Sequence, residues 1–210
     1  MQQCKICLSE SEYKFTAKIL NKYDVKYYEC IACQFIQTEN PYWLPEAYAS
    51  AITSQDIGLL YRNNLYAPIV SLMIKLFFDT KARFLDYGGG YGVFVRLMRD
   101  RGFDFYRYDT YCENIFASTF DSNDSSLYEL ITSFEVFEHM VDPIQEIEKM
   151  LKKGRSIFFS TELQPKNING ADDWWYVMPE TGQHIALYTE KSLRLIADKY
   201  HLNFYTNSST

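Results

Sequence analysis

The stretch Phe84-Leu85-Asp86-Tyr87-Gly88-Gly89-Gly90-Tyr91-Gly92 joins a short apolar run to a glycine-rich turn. The apolar run predicts a buried strand, and the alternate glycines allow the backbone to turn sharply. The next residues have helical spacing, with Val93 and Leu97 one turn apart, and Gly102 is the predicted end of the helix. A strand, a glycine turn and a helix in this order form the first half of a nucleotide-binding α/β unit.

The spacing of the glycines discriminates between cofactors. The dinucleotide fingerprint G-x-G-x-x-G, started at Gly88, would place its third glycine at Val93, so this pattern fails. The chain has Asp86-x-Gly88-x-Gly90-x-Gly92 instead, an acid followed by glycines at every second position. This pattern resembles the first motif of class I S-adenosylmethionine (SAM) methyltransferases. The resemblance implies SAM as the cofactor, bound by Asp86, Tyr87, Gly88, Gly89, Gly90 and Gly92.

A second acidic residue supports the same cofactor. Residues 105–109 are interpreted as the next strand, and Asp109 at its end lies about 20 residues beyond the glycines, where an acid binds ribose hydroxyls. A carboxylate accepts hydrogen bonds from both hydroxyls, whereas it would repel a 2′-phosphate. The alternative interpretation is a glycine-rich turn that binds no cofactor.

Composition limits the class of protein. A chain of 210 residues has room for one main domain and a small appendage. The net charge of −6 argues against a nucleic-acid partner, because phosphate binding needs clustered Lys and Arg. No apolar run approaches the ~20 residues that span a bilayer, and residues 1–7 resemble no signal peptide. The sequence therefore predicts a cytoplasmic protein without a membrane span, and it leaves the oligomeric state open.

Four of the five cysteines form two CxxC pairs, Cys4 with Cys7 and Cys30 with Cys33. In a reducing compartment this spacing favours a zinc site over disulfides. The segments between the pairs, residues 13–20 and 25–29, look like the two strands of a hairpin. We therefore predict a zinc ribbon over residues 1–40, with a redox pair or free thiols as the alternative.

Residues 41–80 are interpreted as a helical connector, and the resemblance to class I methyltransferases implies that this segment covers the cofactor. Residues 46–78 are predicted to be mostly helical, and either Arg62 or Tyr48 is a candidate contact of the methionine carboxylate, with an exposed position as the alternative for each. The candidate core positions are Leu59, Leu60, Ile69, Leu72, Met73, Leu76 and Phe77.

The next resemblance lies at residues 135–143, after a predicted short strand at 116–120, a polar loop at 121–126 and a buried strand at 128–134. The order E-x-x-E-H-x-x-D-P is similar to a stretch of ubiquinone-type and sugar or glycan methyltransferases. In the ubiquinone type the matching positions can hold a divalent metal, which implies a candidate Mg2+ site at Glu135, Glu138 and His139. Glu135 is also a candidate cofactor contact. His139 is alternatively a general base or a residue that fixes the loop.

Residues 162–188 form a long segment after the fifth predicted strand, at 156–161. A loop of this length is usually a lid or a binding loop. Zinc-ribbon-bearing sugar methyltransferases are similar here and often show G-E-H where this chain has Gly182-Gln183-His184. Because Gln183 cannot take up a proton, His184 is the second candidate base, with anchoring of the loop as its alternative role. The aromatic residues 174–176 are candidate walls of an acceptor pocket, or plain packing.

Thr189 is predicted to cap the last helix, and residues 202–205 are the predicted sixth strand. The predicted fold is α/β, a Rossmann-like doubly wound and mostly parallel sheet over residues 81–210 without the final strand, preceded by the zinc ribbon. The predicted function is SAM-dependent methylation of a sugar or glycan-linked hydroxyl. The alternatives are carbon methylation of a keto-sugar, methylation of a small phenol, and a nucleotide-binding interaction protein without turnover.

Overall fold

The computed structural model describes residues 2–49, 57–123 and 126–207. The chain forms two compact units: unit 1 comprises Met1–Ala49, Phe137–Glu146 and Thr161–Thr210, and unit 2 comprises Ser50–Val136 and Ile147–Ser160. The strands are β1 (Gln2–Gln3), β2 (Glu10–Ile19), β3 (Tyr23–Cys30), β4 (Ile36–Thr38), β5 (Arg83–Tyr87), β6 (Asp104–Tyr108), β7 (Leu130–Phe134), β8 (Ile157–Ser160) and β9 (Ala186–Leu187). The α-helices are α1 (Leu44–Ala47), α2 (Leu59–Phe77), α3 (Val93–Asp100), α4 (Pro143–Lys153) and α5 (Glu190–Lys199).

Unit 2 contains a parallel sheet with the strand order β6-β5-β7-β8 in the described residues. The predicted strands at 105–109, 128–134 and 156–161 are confirmed as β6, β7 and β8, with small differences at their ends. The apolar runs of β5 and β7, such as Phe84-Leu85 in β5, are buried, as expected for strands covered on both faces. The parallel α/β sheet that the sequence predicted is therefore present.

Aromatic side chains form much of the unit 2 core. Phe84 of β5 stacks on Phe105 of β6 with ring centroids 5.2 Å apart, and Phe94 of α3 meets Phe105 edge-on at 5.7 Å. Phe94 and Met98 lie one helical turn apart on the same buried face of α3. This packing fixes the helix that follows the glycine turn.

The core positions that were predicted within residues 41–80 were wrong. The helix extends from Leu59 to Phe77, and the residues of its buried face are Ala67, Val70 and Ile74. Large apolar side chains expected in the core, such as Leu72 and Phe77, are exposed. Apolar residues lie all around this helix, so their periodicity did not identify the buried face. The part of the predicted helix at residues 50–56 lies outside the described residues.

Two predicted strands are absent. Residues 116–120 form bends and turns, and Asn114 accepts a hydrogen bond from the Ala117 amide. The β-type backbone pairing here is an isolated bridge between Arg107 and Asp121. The predicted loop at 121–126 is described except for residues 124–125. Residues 202–205 are irregular and Tyr205 is exposed, so the predicted sixth strand was wrong.

Unit 1 contains an antiparallel sheet with the order β1-β2-β3-β4-β9. The predicted hairpin is confirmed as β2 and β3, joined at Ile19 and Tyr23, and its inner face packs Phe15 on Tyr27 with ring centroids 4.6 Å apart. Strand β9 comes from the long segment 162–188 and pairs with β4 through Ile36 and Leu187. The long segment is thus partly built into the cysteine-rich sheet.

The helix caps that the sequence predicted are confirmed. Asp142 accepts a hydrogen bond from the Gln145 amide at the start of α4, and Thr189 forms a capping box with Ser192 at the start of α5. Within the described residues, no helix is long and apolar enough to cross a membrane. The domain limits 1–40, 41–80 and 81–210 stay a prediction.

Candidate functional site

The glycine turn of unit 2 closes onto the end of β6. The amide of Gly88 donates to the Tyr108 carbonyl at 2.8 Å, and the amide of Gly90 donates to Asp109 Oδ2 at 2.9 Å. Gly88 and Gly92 have φ angles of 73° and 86°, which side chains rarely allow. A Cβ at Gly88 would also lie 2.5 Å from Val136 Cγ2. The turn therefore needs glycine for both its conformation and its space.

Asp86, the acid that leads the glycines, is almost fully buried at the end of β5. The pKa of its carboxyl group is raised to about 7, mainly by burial and to a smaller extent by the nearby charge of Asp109. Its Oδ1 accepts a hydrogen bond from the Thr132 hydroxyl at 2.7 Å, which opposes this rise. Asp86 is therefore close to the balance between its neutral and charged forms at neutral pH.

Asp109 accepts hydrogen bonds from the glycine turn and from the loop after β6, the two segments that are predicted to bind the cofactor. Its Oδ2 accepts from Gly90, and its Oδ1 accepts from the amides of Tyr111 and Cys112, both at 2.8 Å. Two carboxylate oxygens have about four acceptor sites, so these three bonds leave little spare capacity. Binding two ribose hydroxyls requires at least one of these bonds to be released or shared.

Arg107 is a residue of this region that the sequence analysis missed. Its side chain is buried, and Nε donates to Asp121 Oδ1 at 2.8 Å. Nη1 donates to the carbonyls of Gly90 and Cys112. The guanidinium thus holds the glycine turn and the loop after Asp109 together. An arginine within an otherwise aromatic strand was the signal that could have identified it.

Tyr87 and Glu135, the other predicted cofactor contacts, lie at the ends of β5 and β7. Tyr87 is buried, and its ring lies 4.7 Å from that of Tyr108. Glu135 has a φ of 53°, and its Oε1 accepts from the Ser160 hydroxyl at 2.6 Å. A non-glycine residue in this conformation is strained, and such strain is frequent at functional sites. Glu135 therefore stays a candidate for contact with the cofactor.

The four predicted metal-ligating cysteines of unit 1 are brought together, with their sulfur atoms within 4.8 Å of one another. The measured separations are 3.7 Å between Cys4 and Cys33, 3.6 Å between Cys7 and Cys33, and 3.4 Å between Cys7 and Cys30. Four sulfurs bound tetrahedrally at about 2.3 Å from zinc would be about 3.8 Å apart. The cluster therefore fits a closed tetrahedral site.

The chemistry of these thiols also fits a metal. The amide of Ile6 donates to Cys4 Sγ and the amide of Cys33 donates to Cys30 Sγ, both at 3.4 Å. The hydrogen bond from Cys33 lowers the pKa of Cys4 to about 5, so the thiolate form that zinc requires is favoured there. Cys112, the fifth cysteine, belongs to unit 2 and lies outside this cluster.

A second cluster in unit 1 joins Glu138, His139 and His184, whose ligand atoms lie within 4.8 Å of one another. Glu138 is fully buried, and burial raises the pKa of its carboxyl group, while His184 lowers it. Its Oε2 accepts from the Thr161 hydroxyl at 3.0 Å. The sequence grouped Glu135, Glu138 and His139 at helical spacing, whereas the cluster in the structure includes His184.

Both histidines are held through the same ring atom. His184 Nδ1 lies 2.5 Å from the Tyr176 carbonyl, and His139 Nδ1 lies 3.2 Å from the Gln183 carbonyl. The Tyr48 hydroxyl also lies 3.1 Å from His139 Nδ1, where it can donate or accept. A carbonyl oxygen can only accept, so the tautomer that satisfies both carbonyls has the ring hydrogen on Nδ1 and the lone pair of the neutral ring on Nε2. Each Nε2 can therefore take up a proton or bind a metal.

The remaining predicted site residues are Tyr48, Arg62 and the aromatic residues 174–176. The Tyr48 hydroxyl lies 3.1 Å from His139 Nδ1, in unit 1, whereas Arg62 lies on α2 in unit 2. Tyr176 is buried against the ring of His184, with centroids 4.5 Å apart. Trp175 is exposed and remains a candidate for an acceptor wall.

Comparisons with known proteins identify the family of this chain. The family model described as "Methyltransferase domain" matches residues 60–206. A comparison with curated proteins finds no match.

Several solved structures are similar to this chain. The plantazolicin methyltransferase BpumL in complex with S-adenosylhomocysteine (SAH) is similar with a TM-score of 0.50 and 16% identity, over 75% of this chain and 73% of that chain. An O-methyltransferase family 2 protein from Planctomyces limnophilus DSM 3776, in complex with apigenin, has a TM-score of 0.48 and 8% identity, over 77% and 61%. CalO1, a methyltransferase in calicheamicin biosynthesis with SAH bound, has a TM-score of 0.43 and 11% identity, over 73% and 54%.

The family match covers the glycine turn, Asp109 and both histidines of the cluster. It favours an enzyme over the alternative of a nucleotide-binding protein without turnover. The chain belongs to the methyltransferase-domain family, and it is a class I SAM-dependent methyltransferase.

Proposed function

We propose that this methyltransferase transfers the methyl group of SAM to a hydroxyl of a sugar or a glycan-linked acceptor, with His184 or His139 as the base. The observation that carries the proposal is the shared orientation of the two imidazoles. In the tautomer with the ring hydrogen on Nδ1, both donate to a backbone carbonyl and keep the Nε2 lone pair for a proton. Sugar methyltransferases with a zinc ribbon, which this sequence resembles, support the class of acceptor.

SAM is the proposed occupant of the glycine turn. Asp86, the glycines and Asp109 lie together in unit 2, and the fold is shared with a methyltransferase whose structure contains SAH. SAM has a positively charged sulfonium, and the carboxyl groups of Asp86 and Asp109 supply negative charge in this unit. Tyr87 and Glu135 are the further proposed contacts.

The proposed reaction is an in-line displacement at the sulfonium methyl carbon. The acceptor oxygen forms a bond to this carbon, the bond between carbon and sulfur breaks, and SAH leaves. The proton of the hydroxyl passes to Nε2 of one histidine. Because SAM already contains an activated leaving group, the protein mainly supplies alignment and proton removal.

Two other acceptors use the same residues. Carbon methylation of a keto-sugar needs a base that removes a carbon-bound proton, and a small phenol needs a base for its hydroxyl. The acidic chain makes a nucleic-acid acceptor the least favoured class.

The four cysteines are proposed to hold one structural Zn2+. The site offers four sulfur ligands and no open position, which is typical of a structural rather than a catalytic zinc. The Mg2+ predicted at Glu135, Glu138 and His139 has no such support, because the carboxylate of Glu135 is engaged by Ser160 and Mg2+ prefers oxygen ligands. The cytoplasmic location stays a prediction.

The acceptor is tested by incubating the protein with methyl-labelled SAM and a panel of sugar nucleotides, small phenols and RNA. We expect label in one or more sugar nucleotides. Label that appears only in a phenol or only in RNA would contradict the sugar assignment. The 13C chemical shift of the transferred methyl group separates methylation at oxygen from methylation at carbon.

A further inference from the structure

A carboxyl oxygen in the interior of unit 1 lacks a hydrogen-bond partner. Glu138 is fully buried, and while its Oε2 accepts from Thr161, its Oε1 has no hydrogen-bond partner. A buried carboxylate oxygen in this state is costly, because it has lost its water and gained nothing in return. A proton or a cation at this oxygen would remove the cost.

Two imidazoles lie near the carboxyl group of Glu138. His139 Nε2 lies 3.7 Å from Glu138 Oε1, and one ligand atom of His184 lies within 4.8 Å of both residues. The Nδ1 atoms of both rings are fixed on the carbonyls of Gln183 and Tyr176. Histidines that bind metals usually donate the second ring N–H to a carbonyl or a carboxylate in this way.

We propose that Glu138, His139 and His184 form a binding site for a divalent transition-metal ion, distinct from the cysteine cluster. The ligands are Nε2 of both histidines and Oε1 of Glu138. Two imidazoles and one carboxylate suit Zn2+, Fe2+, Co2+ or Ni2+, whereas Mg2+ and Ca2+ prefer oxygen ligands.

The dimensions of the cluster agree with this class of ion. Ligands bound at about 2.0–2.1 Å in tetrahedral geometry are about 3.3 Å apart, so the pair formed by Glu138 and His139 needs to close by about 0.4 Å. Three protein ligands leave at least one coordination position for water or a substrate oxygen. This differs from the cysteine cluster, in which protein fills all four positions.

The inference rests on the proposed methyl transfer but not on the identity of the acceptor, and it replaces the histidine base when the ion is bound. A ligated imidazole has no lone pair for a proton, so in the metal-bound form the ion would lower the pKa of a hydroxyl bound at its open position. In the metal-free form one of the imidazoles remains the base.

The test is a titration of the protein with Co2+ after the cysteine site has been filled with Zn2+. We expect one further equivalent of Co2+ to bind and to produce visible absorption bands without thiolate charge transfer. Zn2+ should displace this Co2+, while Mg2+ at equal concentration should not. Absence of a second equivalent, or displacement by Mg2+ as effective as by Zn2+, would overturn the proposal.

Substitution of each proposed ligand tests where the ion binds. Glu138→Gln, His139→Gln and His184→Gln should each weaken Co2+ binding at the second site by at least about 10-fold. The matched control is His201→Gln, because His201 is exposed at the end of α5 and should leave the titration unchanged. Retained zinc at the cysteine cluster and an unchanged circular dichroism spectrum verify that each variant is folded. A second site that survives in all three ligand variants contradicts the assignment.

The proposal of a metal site and the proposal of a sugar acceptor can be contradicted independently of each other. Methyl transfer to a sugar without any second-site Co2+ overturns the metal site alone. Second-site Co2+ binding together with label in no sugar overturns the acceptor assignment alone.

Discussion

The two ligand clusters of unit 1 differ in how the chain assembles them. The cysteine cluster comes from two CxxC turns, and each turn supplies two of its four ligands from one local segment. The cluster of Glu138, His139 and His184 combines one local pair with a residue about 45 positions away along the chain. Local spacing revealed the first cluster, whereas only the fold revealed the second.

The clusters also differ in how many coordination positions of a metal ion the protein can fill. Four thiol sulfurs complete a tetrahedron, but two imidazoles and one carboxylate leave a position open. The first arrangement is suited to holding chain segments together, and the second is suited to chemistry. The following changes test this contrast, beginning with the largest expected effect.

Replacing one cysteine ligand should damage the fold of unit 1. Cys33→Ser removes a buried ligand, so we expect zinc content well below one per chain and a thermal midpoint lower by about 10 °C or more, since zinc binding contributes directly to folding. Elemental analysis and calorimetry provide the measurement. Cys112→Ser is the control, and if it were equally damaging the structural role of the cluster would be contradicted.

Replacing a histidine of the second cluster should affect turnover more than folding. We expect His184→Gln to lower the rate of methyl transfer about 10²–10⁴-fold with nearly unchanged SAH affinity, because it removes a base or a ligand but no cofactor contact. Single-turnover assays and calorimetry separate the two quantities, with His201→Gln as the matched control. Full activity in both His184→Gln and His139→Gln would show that alignment alone carries the catalysis.

The buried acid of unit 2 should make stability depend on pH. Because burial raises the pKa of Asp86 from 3.8 to about 7, the folded state retains a proton that the unfolded state releases. The free energy of unfolding should therefore fall between about pH 4 and pH 7, by on the order of 4 kcal/mol. Asp86→Asn, which keeps an oxygen for the Thr132 hydroxyl, should lack this fall.

Urea unfolding at several pH values measures this difference. Thr132→Val supplies a second variant, since loss of its hydrogen bond should raise the pKa of Asp86 and extend the fall to higher pH. Parallel pH profiles for the native chain and Asp86→Asn would contradict the assignment.

The smallest effect is expected at Asp109. Asp109→Ala removes the acceptor of the Gly90 amide and the predicted acceptor of the ribose hydroxyls, so SAH binding should weaken by about 1.5–3 kcal/mol, the range for hydrogen bonds to charged groups. Calorimetry with SAH measures this change. Asp100→Ala, which removes only an exposed pair with Arg96, serves as the control and should leave SAH affinity unchanged.

The sequence alone determined the features that depend on neighbouring residues. The glycine turn after β5, the caps at Asp142 and Thr189, and the paired cysteines were all predicted correctly. Each depends on backbone conformation or on ligand spacing within a few residues, and the residue types restrict these strongly.

Tertiary structure decided the features that depend on distant partners. Apolar residues lie on all sides of α2, so the sequence did not indicate that Ala67, Val70 and Ile74 form its buried face. The pairing of β9 with β4 and the contact of His184 with the Tyr176 carbonyl depend on how the long segment 162–188 folds back. Local periodicity contains no information about such partners, because burial and hydrogen bonding between distant segments are fixed only when the whole unit packs.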